Sequence, residues 1–376
     1  MIQCSLEEWF IMADRKNRES NIELLRIIAA FGVVVLHYNN ANLGGGFEFV
    51  PDGSANQFIL TVLEALFICA VNLFVMISGY FLRASQKRDL FKPLSVLCQT
   101  LFFGILVYFA GLKVRGLGFE LDTLLSLFSI YWFAFVYVAL YVISPYLNIV
   151  WDNLSEKGRK GLLALLIATF SVYPILLDVL SFWSGRKFGA VSTVGLDGAA
   201  SGYTIVNFVI MYFLGCCARD DKKEHKNTSL ALMLVLDVAL IVAWIYVEHL
   251  ISGKEIMSST AINYENPLVI LEAVLVFMLF KNMKLKPNRV INELSVASFT
   301  VYLIHICFLE FAGIEKFVQK SAPELIIHVI LTGIIIYMAV YLVYKVYSLI
   351  ASPISKWVSS SWQKFRFYDG TNGFQN

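Results

Sequence analysis

The sequence predicts an all-α fold, a polytopic integral membrane bundle of about ten transmembrane helices. Three observations predict it. Of 376 residues, 58% are hydrophobic and 15% charged, with a mean hydropathy of +0.68, against about 45–50% apolar and about 25% charged in soluble domains. Apolar runs approaching the roughly 20 residues of a spanning helix recur along the chain. Basic residues gather on alternate loops, as the positive-inside rule requires. This composition excludes a soluble enzyme, a secreted disulfide scaffold and a disordered chain. A net charge of +2 gives no reason to expect a nucleic-acid partner.

Residues 1–21 read as an N-terminal cytoplasmic tail. Glu7, Glu8, Asp14 and Glu19 interrupt it, and it lacks the apolar region of a signal peptide. Met12 is a second candidate start. Ten apolar segments then form a membrane-embedded domain over 22–350: 22–38, 57–82, 94–112, 124–147, 161–180, 204–218, 229–249, 267–281, 296–315 and 324–350. Segments 204–218 and 267–281 are short for a full span. Residues 351–376 read as a C-terminal cytoplasmic tail. With the N-terminus inside, 22 of the 30 Lys and Arg residues fall on inside segments and 7 outside, leaving Arg26 within the first helix. That asymmetry places both termini in the cytoplasm. Cys69, Cys98, Cys216, Cys217 and Cys307 lie in apolar runs, where thiols behave as small hydrophobes. No CxxC or CxxH spacing points to a metal.

A charge at membrane depth costs at least about 2.5 kcal/mol on insertion scales, so intramembrane ionisable groups are functional candidates. In the first helix Arg26 and His37 are eleven residues apart. They share a face and are separated by about 16 Å along the axis. Ala29, Ala30 and Val33 lie between them, and Glu23 sits one turn before Arg26. Two ionisable groups linked by small residues suit a polar cleft; the competing reading is that Arg26 snorkels to headgroups and His37 bonds a neighbouring helix. The second segment ends in Ser78 and Gly79, which read either as a site or as helix packing. Its Glu64 and Asn72 belong to the bundle interior. In the ninth, Ser295, Ser298, Tyr302 and His305 form a polar stripe at helical period, with His305 either a second acid/base group or structural. Glu272 and Asp237 are weaker cases, and Glu248 reads as solvated at a membrane boundary.

These residues resemble the integral-membrane acyltransferase 3 family, bacterial enzymes that acylate cell-surface sugars. The resemblance rests on ELLRIIAAFGVVVLHY with its R-x10-H spacing, NLFVMISGYFL (72–82), YWFAFVYVALYVISPYLN (131–148), NPLVILEAVLVFMLFKNMKL (266–285) and LSVASFTVYLIH (294–305). It implies transfer of an acyl group, usually acetyl from acetyl-CoA as co-substrate, to a hydroxyl of a polysaccharide or lipid-linked sugar. It implies location in the bacterial cell membrane and no permanently bound cofactor. By motif position, His37, Arg26 and Ser78 are the catalytic candidates. Glu23, Asn72, Gly79, Tyr80, Arg83, Arg88, Trp132, Tyr302 and His305 are the substrate- and donor-binding candidates. The family's compact arginine cluster is replaced here by the dispersed run Arg83, Lys87, Arg88 and Lys92. The expected mechanism places CoA phosphates by Arg26 and this loop, with His37 as general base. Ser78 or a backbone N–H is the oxyanion donor. A transporter or flippase of a lipid-linked sugar is the alternative. Against it, the two halves show no repeat.

Overall fold

In the computed structural model, residues 18–85, 88–115, 118–125, 130–186, 200–253, 255–362 and 366–368 are described. Residues 1–17, Lys87, the loop 187–199, and 363–365 and 369–376 of the C-terminal tail lie outside them. Every expected apolar segment forms a helix, although several differ from one uninterrupted span.

The first helix, α1 (Ser20–Asn39), covers its segment in full. The second segment divides into α2 (Ala55–Phe67) and α3 (Ala70–Ala84) around Ile68 and Cys69. After the two-residue strand β1 (Arg88–Asp89) come α4 (Phe91–Arg115) and α5 (Trp132–Asn153). The fifth segment is α6 (Glu156–Ile167) and α7 (Tyr173–Ser184), joined by a π turn at Ala168–Val172. Pro174 follows that turn and removes one ladder N–H, so the helix widens there instead of continuing regularly. Then come α8 (Ile205–Asp220), α9 (Asn227–Ser252) and α10 (Pro267–Asn282).

The ninth segment is interrupted. Its α11 (Ser298–Ile304) stops at His305, and a single helical turn, Ile306–Leu309, follows. The tenth segment, α12 (Ala322–Trp362), runs past the expected end at 350 and through Pro353. Part of the expected tail is therefore helix. Beyond it, β2 (Arg366–Tyr368) pairs antiparallel with β1. Eight stretches are long and apolar enough to cross a membrane among the described residues. The 16-residue α8 and the broken ninth segment are not among them.

Two apolar clusters make the core, and α1 joins them. Ile22, Leu25, Ala29, Val33 and Leu36 belong to one, with α3, α8 and α10. Ala30, Val34, Val35 and Tyr38 belong to the other, with α11 and α12. A helix apolar on every side is a buried helix, and α1 is accordingly central. Polar groups tie loops to this frame. Glu248 is fully buried and accepts from the hydroxyls of Ser259 (2.6 Å) and Thr260 (2.6 Å) and from the Thr260 amide (2.8 Å). It is therefore an internal clamp on the 256–262 loop, not the solvated boundary group expected from sequence.

Helices α3 and α8 approach backbone to backbone, and Gly79 and Gly215 allow it. A Cβ at Gly79 would strike the Tyr212 carbonyl, and one at Gly215 would strike the Met76 carbonyl. Small residues let membrane helices approach backbone to backbone. Gly79→Leu is expected to prevent accumulation of folded protein in membranes, while Gly111→Leu, where a side chain meets open space, leaves it unchanged. Quantitative immunoblotting of detergent-extracted, gel-filtered protein reads the difference.

Candidate active site

A cavity of about 1220 Å³ lies against α1 and is walled further by α3, α4, α5, α11 and α12. It exceeds the ~300–1,000 Å³ of an ordinary small-ligand pocket. One end carries four cations, Arg18, Arg26, Lys92 and Arg219, against two carboxylates, Glu19 and Glu23, and is on balance basic. Further along α1, His37 reaches the wall. An aromatic group, Trp132, Tyr203 and Tyr264, lines another part, with Trp132 and Tyr203 edge to face at 4.4 Å between centroids. The helical spacing that puts Arg26 and His37 on one face thus opens both onto one space.

His305 lies behind His37 and is fully buried. Its Nε2 is 2.5 Å from His37 Nδ1, and its Nδ1 is 2.6 Å from the Val301 carbonyl. The ring planes differ by 15° with centroids 4.7 Å apart, the arrangement of an edge-to-edge N–H···N contact. The hydrogen-bond directions follow from one fact: a carbonyl only accepts. With both rings neutral, His305 Nδ1 carries the proton that goes to Val301. His305 Nε2 is then an acceptor, and His37 Nδ1–H donates to it. His37 Nε2 is left with its lone pair on the cavity side. At the end of α11 the Val301 carbonyl takes both the His305 ring and, as an ordinary helical bond, the His305 amide (3.1 Å). The two histidines are 268 residues apart in sequence. The polar stripe identified His305, and nothing in the sequence paired it with His37.

The remaining candidates separate by position. Glu23 and Arg26 line the cavity and form an ion pair at 2.9 Å. Ser78, Trp132 and Tyr302 also line it. Ser78 donates its only proton to the Phe74 carbonyl at 2.9 Å, so it has lone pairs but no hydrogen for a ligand. Arg88 is 1% exposed and lies away from the cavity wall. Its guanidinium donates to Ser144 Oγ (2.9 Å) and to the carbonyls of Ser85 (2.7 Å) and Leu82 (2.8 Å), capping the C-terminal end of α3. Arg83 is held by Asp152 (2.7 Å) and Asp220 (3.5 Å), also off the wall. Of the described members of that run, Lys92 lines the cavity wall and Arg83 and Arg88 do not.

Asn72 and Gly79 are packing residues. Asn72 donates to the Tyr264 carbonyl (2.8 Å) and accepts from Asn207 (3.1 Å). Tyr80 acts one layer back. Its hydroxyl donates to Glu19 (2.8 Å), its ring lies 4.6 Å from the Arg219 guanidinium, and Arg219 pairs with Glu19 at 2.7 Å. Sequence reasoning missed Arg18 and Arg219 as cavity cations, because helix-end cations read first as topology markers. It also missed Tyr203 and Tyr264, which sit in connecting segments without periodicity.

Comparison with known proteins agrees with the architecture. A family model described as an acyltransferase domain, of the acyltransferase 3 family, matches residues 19–344. The chain belongs to that family and is a multi-pass membrane acyltransferase. No curated protein and no solved structure matches it.

Proposed function

We propose that this member of the acyltransferase 3 family moves an acetyl or other acyl group from acetyl-CoA to a hydroxyl of a cell-surface polysaccharide or its lipid-linked sugar precursor. It does so in a bacterial cell membrane with both termini in the cytoplasm. The observation that carries the reading is the oriented His37–His305 pair opening onto a large cavity with a basic end. A neutral imidazole fixed by a partner at Nδ1 has the form of a general base. Four cations at one end suit the phosphates and diphosphate of CoA. The cavity's size suits two substrates meeting.

In this mechanism the nucleotide rests at the basic end and the pantetheine arm follows the α1 face of Arg26, Val33 and His37; Ala29 and Ala30, expected on that face, are packed in the core. His37 Nε2 takes the proton of the sugar hydroxyl as that oxygen attacks the thioester carbonyl. Trp132, Tyr203 and Tyr264 offer apolar ring faces to the acceptor. Arg26→Ala is expected to raise KM for acetyl-CoA about tenfold or more, with a smaller change in kcat, because it removes ground-state contact with phosphate. Initial rates over a donor series in washed membranes check this, and an unchanged KM removes Arg26 from the donor site.

The function itself is tested by NMR of the surface glycan from wild-type and deletion strains. Loss of an O-acyl group from an otherwise unchanged glycan supports transfer. Loss of surface glycan with its acylation intact in the cell favours the transporter alternative.

A further inference from the structure

We infer that Tyr302 is the oxyanion donor of the transfer reaction, its phenol O–H hydrogen-bonding the thioester carbonyl oxygen as it becomes negative. This rests on the acyl-CoA reading above and names a residue role within it.

The argument is an account of hydroxyl protons. A tetrahedral intermediate needs a donor already aimed at the oxygen and not engaged elsewhere. A hydroxyl has one proton. On the cavity wall, Ser78 has given its proton to Phe74 and Tyr131 to the Leu303 carbonyl (2.9 Å). The Tyr302 oxygen is buried beside the Phe133 and Ala134 amides, which can only donate to it, and its proton has no acceptor among the described residues. An unsatisfied buried hydroxyl costs about 1–3 kcal/mol, so a group kept this way is best explained by a partner that arrives later.

Position supports the same role. Tyr302 lines the cavity that His37 reaches. It is three residues before His305 on α11, one helical turn away and on the same face. Its ring is fixed by Phe133 at 5.3 Å, Phe299 at 5.9 Å and Tyr131 at 6.2 Å between centroids. A ring packed on three sides holds its hydroxyl in place before the substrate arrives. The short segment from Tyr302 to His305 therefore carries both the oxyanion donor and the group that orients the base.

The step balances. The sugar oxygen forms a bond to the thioester carbon while its proton passes to His37 Nε2. The carbonyl π pair moves to oxygen, which accepts the Tyr302 hydrogen bond without taking the proton. The pair then returns, the C–S bond breaks, and the CoA thiolate takes the proton from His37.

The test is Tyr302→Phe, which deletes the oxygen alone. Transfer from labelled acetyl-CoA is measured over donor and acceptor series in membranes, alongside thermal stability and CoA binding of the purified protein. The expected result is a fall in kcat on the order of 10²-fold or more, with KM for both substrates, CoA affinity and melting temperature near wild type. Retention of more than a third of kcat, or a loss confined to KM, overturns the assignment. If Y302F does not accumulate, 3,5-difluorotyrosine at position 302 keeps the shape and changes donor strength. A several-fold change in kcat at constant KM then supports the role, and an unchanged kcat overturns it. A wild-type protein that transfers nothing from acetyl-CoA overturns the donor reading itself, a result separate from either variant.

Discussion

His37→Gln and His37→Ala are expected to abolish acyl transfer, with rates falling on the order of 10²–10⁴-fold or below detection, while both proteins reach the membrane at wild-type levels. The size of the effect follows from the site. His37 Nδ1 is committed to His305, so Nε2 is the ring atom left to take the acceptor's proton. Glutamine keeps polarity and approximate size but has no basic nitrogen. Both variants matter, because alanine alone also opens a void beside the cavity. Normal abundance is expected because His37 lines the cavity and its one described side-chain hydrogen bond is to His305. The check is donor-to-glycan transfer normalised to protein measured by immunoblot. Full activity in both variants removes the general-base role.

His305→Phe is the second large effect, expected to lower kcat on the order of 10²-fold with little change in KM for acetyl-CoA. His305 is a positioning residue in this account. It touches no substrate and acts by holding His37 in the tautomer with Nδ1 protonated. When such an orienter is lost, the base populates the wrong tautomer, an effect that in Ser-His-Asp enzymes costs about 10⁴-fold. Two further variants separate orientation from packing. His305→Asn, whose side-chain oxygen can accept from His37 Nδ1–H, recovers part of the loss. The double variant His37→Gln/His305→Phe is no slower than His37→Gln, because groups that act as one unit are not additive. An additive double variant, or a His305→Phe enzyme with normal kcat, contradicts the pairing.

Apolar runs located the ten segments that the structure folds as helix, and the Arg26–His37 spacing predicted one face that the structure opens onto one cavity. What the sequence did not carry was contact between distant segments. His305 stood out as a polar residue at membrane depth, yet its partner is on another helix, and helical periodicity says nothing about which helices adjoin. The same limit explains Arg88. A basic residue following a Ser-Gly-aromatic motif looks like an anion ligand, and only the fold returns it to the carbonyl groups of Leu82 and Ser85. Gly79 was read as either site or packing, and the nearness of the Tyr212 carbonyl decides for packing. The breaks at Ile68–Cys69, at the π turn before Pro174 and at His305 were invisible to hydropathy, because each interrupts helix geometry without interrupting apolar character.

At the centre of the proposed function, His37 acts as general base while the acyl group passes directly from acetyl-CoA to a glycan hydroxyl. Membranes carrying wild-type or His37→Gln protein at matched abundance, given acetyl-CoA labelled in the acetyl group, test it directly. The account predicts label in the glycan as a base-labile ester with the wild type and none with His37→Gln. Equal labelling by both proteins, or export of unlabelled glycan by the wild type, would contradict it.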